Sequence, residues 1–97
     1  MPATYAFQSY DAAMLINSAV VAVKGDLTDK AKVSAAMKKA DFTSLRGSFK
    51  FSNNGYPIQD FYLTKVAKRA DGKFQTEIVE KVFTNYADRY AKDCTAQ

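Results

Sequence analysis

The sequence predicts a small α+β chain: two N-terminal helices followed by an antiparallel β-hairpin region. Three observations carry this. Apolar side chains recur at helical spacing up to about Ala40. From Asp41 onward the period falls to two, and the turn signals Asn53-Asn54-Gly55 and Ala70-Asp71-Gly72-Lys73 divide the alternating runs. The length, 97 residues of which 47% are hydrophobic, fits one small domain at most. At that size roughly 65% of the unfolded surface can be buried.

The first helix is expected over Tyr5–Lys24. Thr4, Gln8, Asp11 and Ser18 fall near one narrow stripe, and almost every other position is apolar. Such a helix packs on more than one side, so this one asks for more protein than the chain supplies. Gly25 suits the position that ends it. A second helix follows, with Thr28 as its expected N-cap and Asp29 at the positive end of its dipole. Val33, Ala36, Met37 and Ala40 form its apolar stripe, with Lys30, Lys32, Lys38 and Lys39 outside it.

The β region starts with Phe49 and Phe51 alternating with Ser48, Lys50 and Ser52, a short half-buried strand. Tyr56-Pro57 cannot continue a central strand. Asp60–Arg69 is rich in β-formers. Phe74–Phe83 alternates, with Phe74, Thr76, Ile78 and Val82 on one face and Gln75, Glu77 and Lys81 on the other. A short helical turn around Tyr86–Ala91 is expected to close the chain.

The composition excludes several chemistries. Without histidine there is no Ser-His-Asp triad, Cys-His pair or histidine metal site. Cys94 alone forms no internal disulfide and no multi-cysteine cluster; it reads either as an unreactive thiol or as half of a disulfide completed elsewhere. Neither metal nor cofactor is expected. The glycines stand singly, with no phosphate-binding loop. In the β region Asp60 sits near Gln59 and Tyr62, and Glu77 near Glu80, but on a regular strand Glu77 and Glu80 face opposite ways, so no catalytic residue is assigned. Fourteen basic and ten acidic residues give a net charge of +4 with interleaved signs. That lacks the one-sided stripe of a nucleic-acid surface. The longest apolar stretch, Ala12–Val23, is broken by Asn17 and Ser18 and falls short of the roughly 20 residues of a membrane span.

Several segments resemble a known family in order and spacing: Tyr5–Ala13 (YAFQSYDAA), Asp41–Gly47 (DFTSLRG), Phe49–Asn53 (FKFSN), Tyr56–Leu63 (YPIQDFYL) and Ala87–Cys94 (ADRYAKDC). They are similar to the C-terminal part of the type I periplasmic substrate-binding proteins of branched-chain amino acid type ABC transporters. The resemblance implies an α/β parent fold of two lobes clamping a small ligand, with this chain an α+β fragment of it. Residues 1–46 would be the helical part of one lobe, 47–60 a hinge crossing, and 61–97 the hairpin and closing segment of the other lobe. Met1 would be an internal start. Tyr5 would face the cleft and touch the ligand, with Gln8 one turn further on; the ligand would be an amino acid or an aromatic acid. The other partner would be the transporter's membrane permease, and the setting periplasmic. A sensor or receptor ligand-binding domain and a stand-alone interaction domain are the alternative readings. The isolated chain is expected to self-associate, helix on helix or by exchange of the hairpin across Gly47–Asp60.

Overall fold

A computed structural model describes residues 4–94; Met1, read above as an internal start, lies outside them. Helix α1 spans Thr4–Ala22 and α2 spans Lys30–Lys39. Strands β1 (Lys50–Phe51), β2 (Pro57–Lys68) and β3 (Phe74–Tyr86) form one antiparallel sheet in the order β1-β2-β3. A single 3₁₀ turn at Ala91–Asp93 follows. The α+β class and the hairpin region are as the sequence predicts.

Helix α1 is not the buried element its composition suggests. Only Asp11 and Ala19 are buried, and Tyr5, Ile16 and Val21 are more than half exposed. Among the described residues α2 is the one helix that packs on it, and one neighbour covers one side. Its end also differs in detail. The Gly25 N–H donates to Val20 O and the Lys24 N–H to Val21 O, the paired bonds of a Schellman motif. Lys24, at φ +53°, therefore holds the first left-handed position and Gly25, at φ +80°, the next.

Helix α2 is capped by Asp29 rather than Thr28: the Asp29 carboxylate accepts from the Lys32 N–H at 3.1 Å. Thr28 is occupied with Asp26, whose Oδ1 accepts from both its N–H and its hydroxyl. The expected stripe does face inward, with Val33, Ala36 and Met37 half-buried and Ala40 buried. The packed centre of the helical half is aromatic. Phe49 meets Phe42 at a tilt and Phe51 edge to face, with centroids 5.4 and 5.2 Å apart.

Pro57 corrects the strand boundary. It is the first residue of β2, the middle strand, paired with Phe51; a proline is tolerated at a strand's first residue. The hairpin turns where expected, with the Arg69 N–H donating to Lys73 O. Strand β3 runs on to Tyr86, which displaces the expected helical turn to Ala91–Asp93. The register between β2 and β3 slips three times toward the sheet base. One slip makes Val79 an extra residue, so Glu77 and Glu80 stand opposite Lys65 and Leu63. Those two lie two apart on β2, so Glu77 and Glu80 share a face instead of alternating. The same slip puts Lys81 opposite Tyr62, on the face of Ile78.

Candidate functional site

The N-terminal end of α1 carries the two candidate ligand contacts. Tyr5 is 81% exposed and Gln8 is exposed one turn later. The Ser9 hydroxyl donates to the Tyr5 carbonyl at 2.8 Å. Both side chains are free to meet a ligand or another protein surface. Tyrosine offers such a contact a flat apolar face and a hydroxyl, and glutamine an amide that donates and accepts.

One turn beyond Gln8, Asp11, which the sequence sets near the narrow polar stripe of the helix, is the centre of a polar knot. Asp11 is 1% exposed. Its Oδ2 accepts from the Ser44 hydroxyl at 2.5 Å and from Arg46 Nε at 2.9 Å, and its Oδ1 accepts from the Leu45 N–H at 3.0 Å. Arg46 then donates through Nη1 to Gln59 Oε1 at 2.8 Å, and its guanidinium lies 5.0 Å over the Phe49 ring. A continuous set of bonds thus joins α1, the Ser44–Arg46 loop and β2. Burial by itself pushes the Asp11 carboxyl up, but the bonds from Ser44, the Leu45 N–H and Arg46 outweigh it and hold the group below the usual carboxylate value. The signal was present in the sequence: Asp11 is the single charged residue of α1, and an aspartate mid-helix is unfavourable unless its side chain has a task.

A second knot ties the chain's end to its middle. Asn54 Nδ2 donates to Asp88 Oδ2 at 2.9 Å and Asn53 Nδ2 to the Ala91 carbonyl at 2.7 Å. The Asn53-Asn54-Gly55 turn therefore anchors the C-terminal segment as well as reversing the chain. In the sheet, Asp60 accepts from Lys81 Nζ at 2.6 Å and from the Asn85 N–H at 2.8 Å, which keep its carboxyl below the usual range. The Lys81 ammonium is raised by the same pairing. Glu77 is paired with Lys65 at 3.7 Å. These carboxylates are engaged in structural pairs. Among the described residues no cluster of three metal-ligating side chains occurs. Cys94 is exposed and free.

An open apolar groove of about 440 Å³ runs between α1, α2 and β1, bordered by Leu15, Leu27, Val33, Met37 and Phe51. Leu15 is ten residues from Tyr5, about 15 Å along the helix axis, so the groove and the two candidate contacts are separate features.

Residues 1–73 match the family described as periplasmic binding protein, and the chain belongs to that family. The fold is similar to an ABC transporter substrate-binding protein from Sphaerobacter thermophilus, with a TM-score of 0.71 and 23% sequence identity. That likeness covers 82% of this chain and 22% of the other, so the chain spans under a quarter of the length of the protein it resembles. The curated proteins yield no match.

Proposed function

We infer that this chain contributes one wall and part of the hinge of a non-enzymatic solute-binding protein that serves an ABC importer in the periplasm. The observation that carries the reading is the family match over residues 1–73; the similar fold of a substrate-binding protein agrees with it. Tyr5 and Gln8 contact the bound solute, a small amino acid or aromatic acid. Residues 1–46 belong to one lobe, 47–60 to the crossing between lobes, and 61–97 to the other lobe. The Asp11–Arg46–Gln59 bonds support that division, because they brace the solute-contacting helix against the crossing. Closure follows from contacts that a solute makes with both lobes at once. The membrane permease is the downstream partner.

A chimaera tests the reading. The segment of the Sphaerobacter thermophilus protein that corresponds to this chain is replaced by it, and calorimetry is run with a panel of amino acids and aromatic acids. A bound solute is expected, with Tyr5→Ala weakening it at least about tenfold, the range of an aromatic contact at a binding hot spot. A folded chimaera that binds no solute overturns the solute-binding role. Binding that is indifferent to Tyr5→Ala and Gln8→Ala overturns the assignment of those residues.

A further inference from the structure

Among the described residues the helices reach the sheet directly at one place, where α2 packs on β1; α1 packs on no strand. Strand β1 gives the sheet a short attachment. It spans Lys50–Phe51 and pairs with Ile58 and Pro57 of β2, which is shorter than strands usually are. Pro57 has no N–H to give to that ladder. Two opposed pairs leave the hairpin room to swing about β1, so its direction needs a second hold on the helical half.

Arg46 supplies one. It lies between α2 and β1, outside every helix and strand. Its Nε donates to Asp11 Oδ2 of α1 at 2.9 Å, and its Nη1 donates to Gln59 Oε1 of β2 at 2.8 Å. Those two nitrogens do not share an edge of the rigid guanidinium fork, so the bonds diverge toward two partners instead of gripping one. The Phe49 ring, 5.0 Å from the guanidinium carbon, limits how the fork can turn. Gln59 is also where a hold on β2 has most effect. It follows Ile58, which still pairs with β1, and it precedes the first register slip of the β2–β3 ladder, between Gln59 and Phe61. The two ends of the bridge are unequal. The Asp11 end joins opposite charges on a buried carboxylate, and the Gln59 end has a neutral acceptor on a half-buried side chain. A bond between two charges is the stronger, so Asp11 is the anchor and Gln59 the end that can let go.

We propose that Arg46 is a positioning residue that sets the angle of the β2–β3 hairpin on the helical half, anchored on Asp11 and holding β2 through Gln59. Without the Gln59 bond the hairpin swings about β1. The proposal concerns bonds within this chain and does not depend on the solute-binding reading.

Pulsed electron paramagnetic resonance on the 97-residue chain reads that angle. In a Cys94→Ser background, nitroxides are attached at Val21→Cys on α1 and at Val66→Cys on the exposed apolar face that Val66 shares with Phe74 and Ile78. Labelled chain is diluted into unlabelled chain so that distances within one copy are read. One narrow distance is expected. Gln59→Met, which keeps the length and removes the acceptor, is expected to replace it by a broad distribution, and Gln59→Glu, which keeps an acceptor, to leave it narrow. Arg46→Lys is expected to broaden it as Gln59→Met does, because one ammonium on a flexible stem cannot hold both partners. Combining Gln59→Met with Arg46→Lys is expected to broaden it no further. A label pair within β3, at Phe74→Cys and Val82→Cys, is expected to stay narrow throughout. Far-UV circular dichroism checks that each variant keeps its fold, and should Gln59→Met or Arg46→Lys unfold, the other still reads the bond. A narrow distance retained in a folded Gln59→Met or Arg46→Lys variant overturns the proposal. So does a broad distribution before any change at Arg46 or Gln59, broadening within β3, or a Gln59→Glu variant as broad as Gln59→Met.

Discussion

Asp11 is the buried acceptor at the centre of the bonds that join α1 to the Ser44–Arg46 loop, and its removal has a definite expected cost. Asp11→Ala leaves the Arg46 guanidinium and the Leu45 N–H without their acceptor. Breaking a buried pair costs about 3–5 kcal/mol, and because Arg46 is 26% exposed and can rehydrate, about 2–4 kcal/mol is expected here. Urea unfolding measures it; an unchanged midpoint would mean that water replaces the carboxylate without loss. The same residue sets an acid response. Unfolded, the carboxyl takes its proton near the usual 3.8, and folded it does so at lower pH. Between those values the unfolded state holds more protons, so stability rises with pH there. The contribution is complete above the unfolded value and is lost as pH falls through the folded one. Asp11→Asn is therefore expected to flatten part of the stability loss below about pH 4, with the remainder belonging to Asp26, Asp29 and Asp60, whose carboxyls are also held low. At this scale the residue types were legible and their partners were not. The uncharged run around Asp11 marks it as unusual, but Ser44, Leu45 and Arg46 lie more than thirty residues away, and no local period connects them.

Among the elements, α2 was the most legible because it faces the simplest choice: its stripe turns inward to α1 and β1 and its lysines meet water. Helix α1 misled because a composition suited to burial on several sides is covered here on one. Its C-terminal turn offers a direct gain. Lys24 adopts the left-handed conformation at φ +53°, which costs a non-glycine residue about 1–2 kcal/mol. Lys24→Gly is expected to raise stability by about 0.5–1 kcal/mol, the relief being offset in part by the added freedom of the unfolded chain. A lower thermal midpoint for this variant would show that the lysine stem contributes packing that outweighs the strain. Strand β3 was legible where it alternates, from Phe74 to Ile78, and misread beyond, because one extra residue in a strand reverses every later side chain. The Asp60 carboxylate holds the last irregularity by accepting the Asn85 N–H. Asp60→Ala should speed hydrogen exchange at Asn85 while leaving Thr76 and Ile78 protected. Exchange accelerated uniformly along β3 would instead mean that the bulge and the regular ladder open as one unit.

For the molecule as a whole, dimensions of 51 × 34 × 15 Å describe a thin plate. A plate that thin has little interior, which is why Ala19 and Ala40 are its buried hydrophobic residues. Tyr5 then stands on an open surface, and open surfaces bind small solutes weakly because affinity comes from enclosing most of the ligand. Calorimetry on the chain alone with amino acids and aromatic acids is expected to show nothing tighter than millimolar, about 4 kcal/mol. Micromolar binding would mean that the chain holds a complete site. The family was legible at this scale through the ordered segments from YAFQSYDAA onward, since their order is a property of the whole chain. The exposed hairpin face was legible only in pattern, because a period of two says which side is apolar but not whether anything covers it.

The bonds from Asn53 and Asn54 to Ala91 and Asp88 give the hairpin the mechanics of a cantilever. Its two roots are clamped together, so everything from Pro57 to Tyr86 leaves and re-enters the molecule at one place. Length can therefore change at the free tip without disturbing the clamp, provided residues are added or removed in opposed pairs around Arg69–Lys73, where each pair of residues shifts the tip by about 3.4 Å and restores the faces only after two pairs. The beam also converts a small rotation at its root into a larger sweep at Gly72, so a slight change in the Asn53–Gly55 turn would be read out at the far end of the plate.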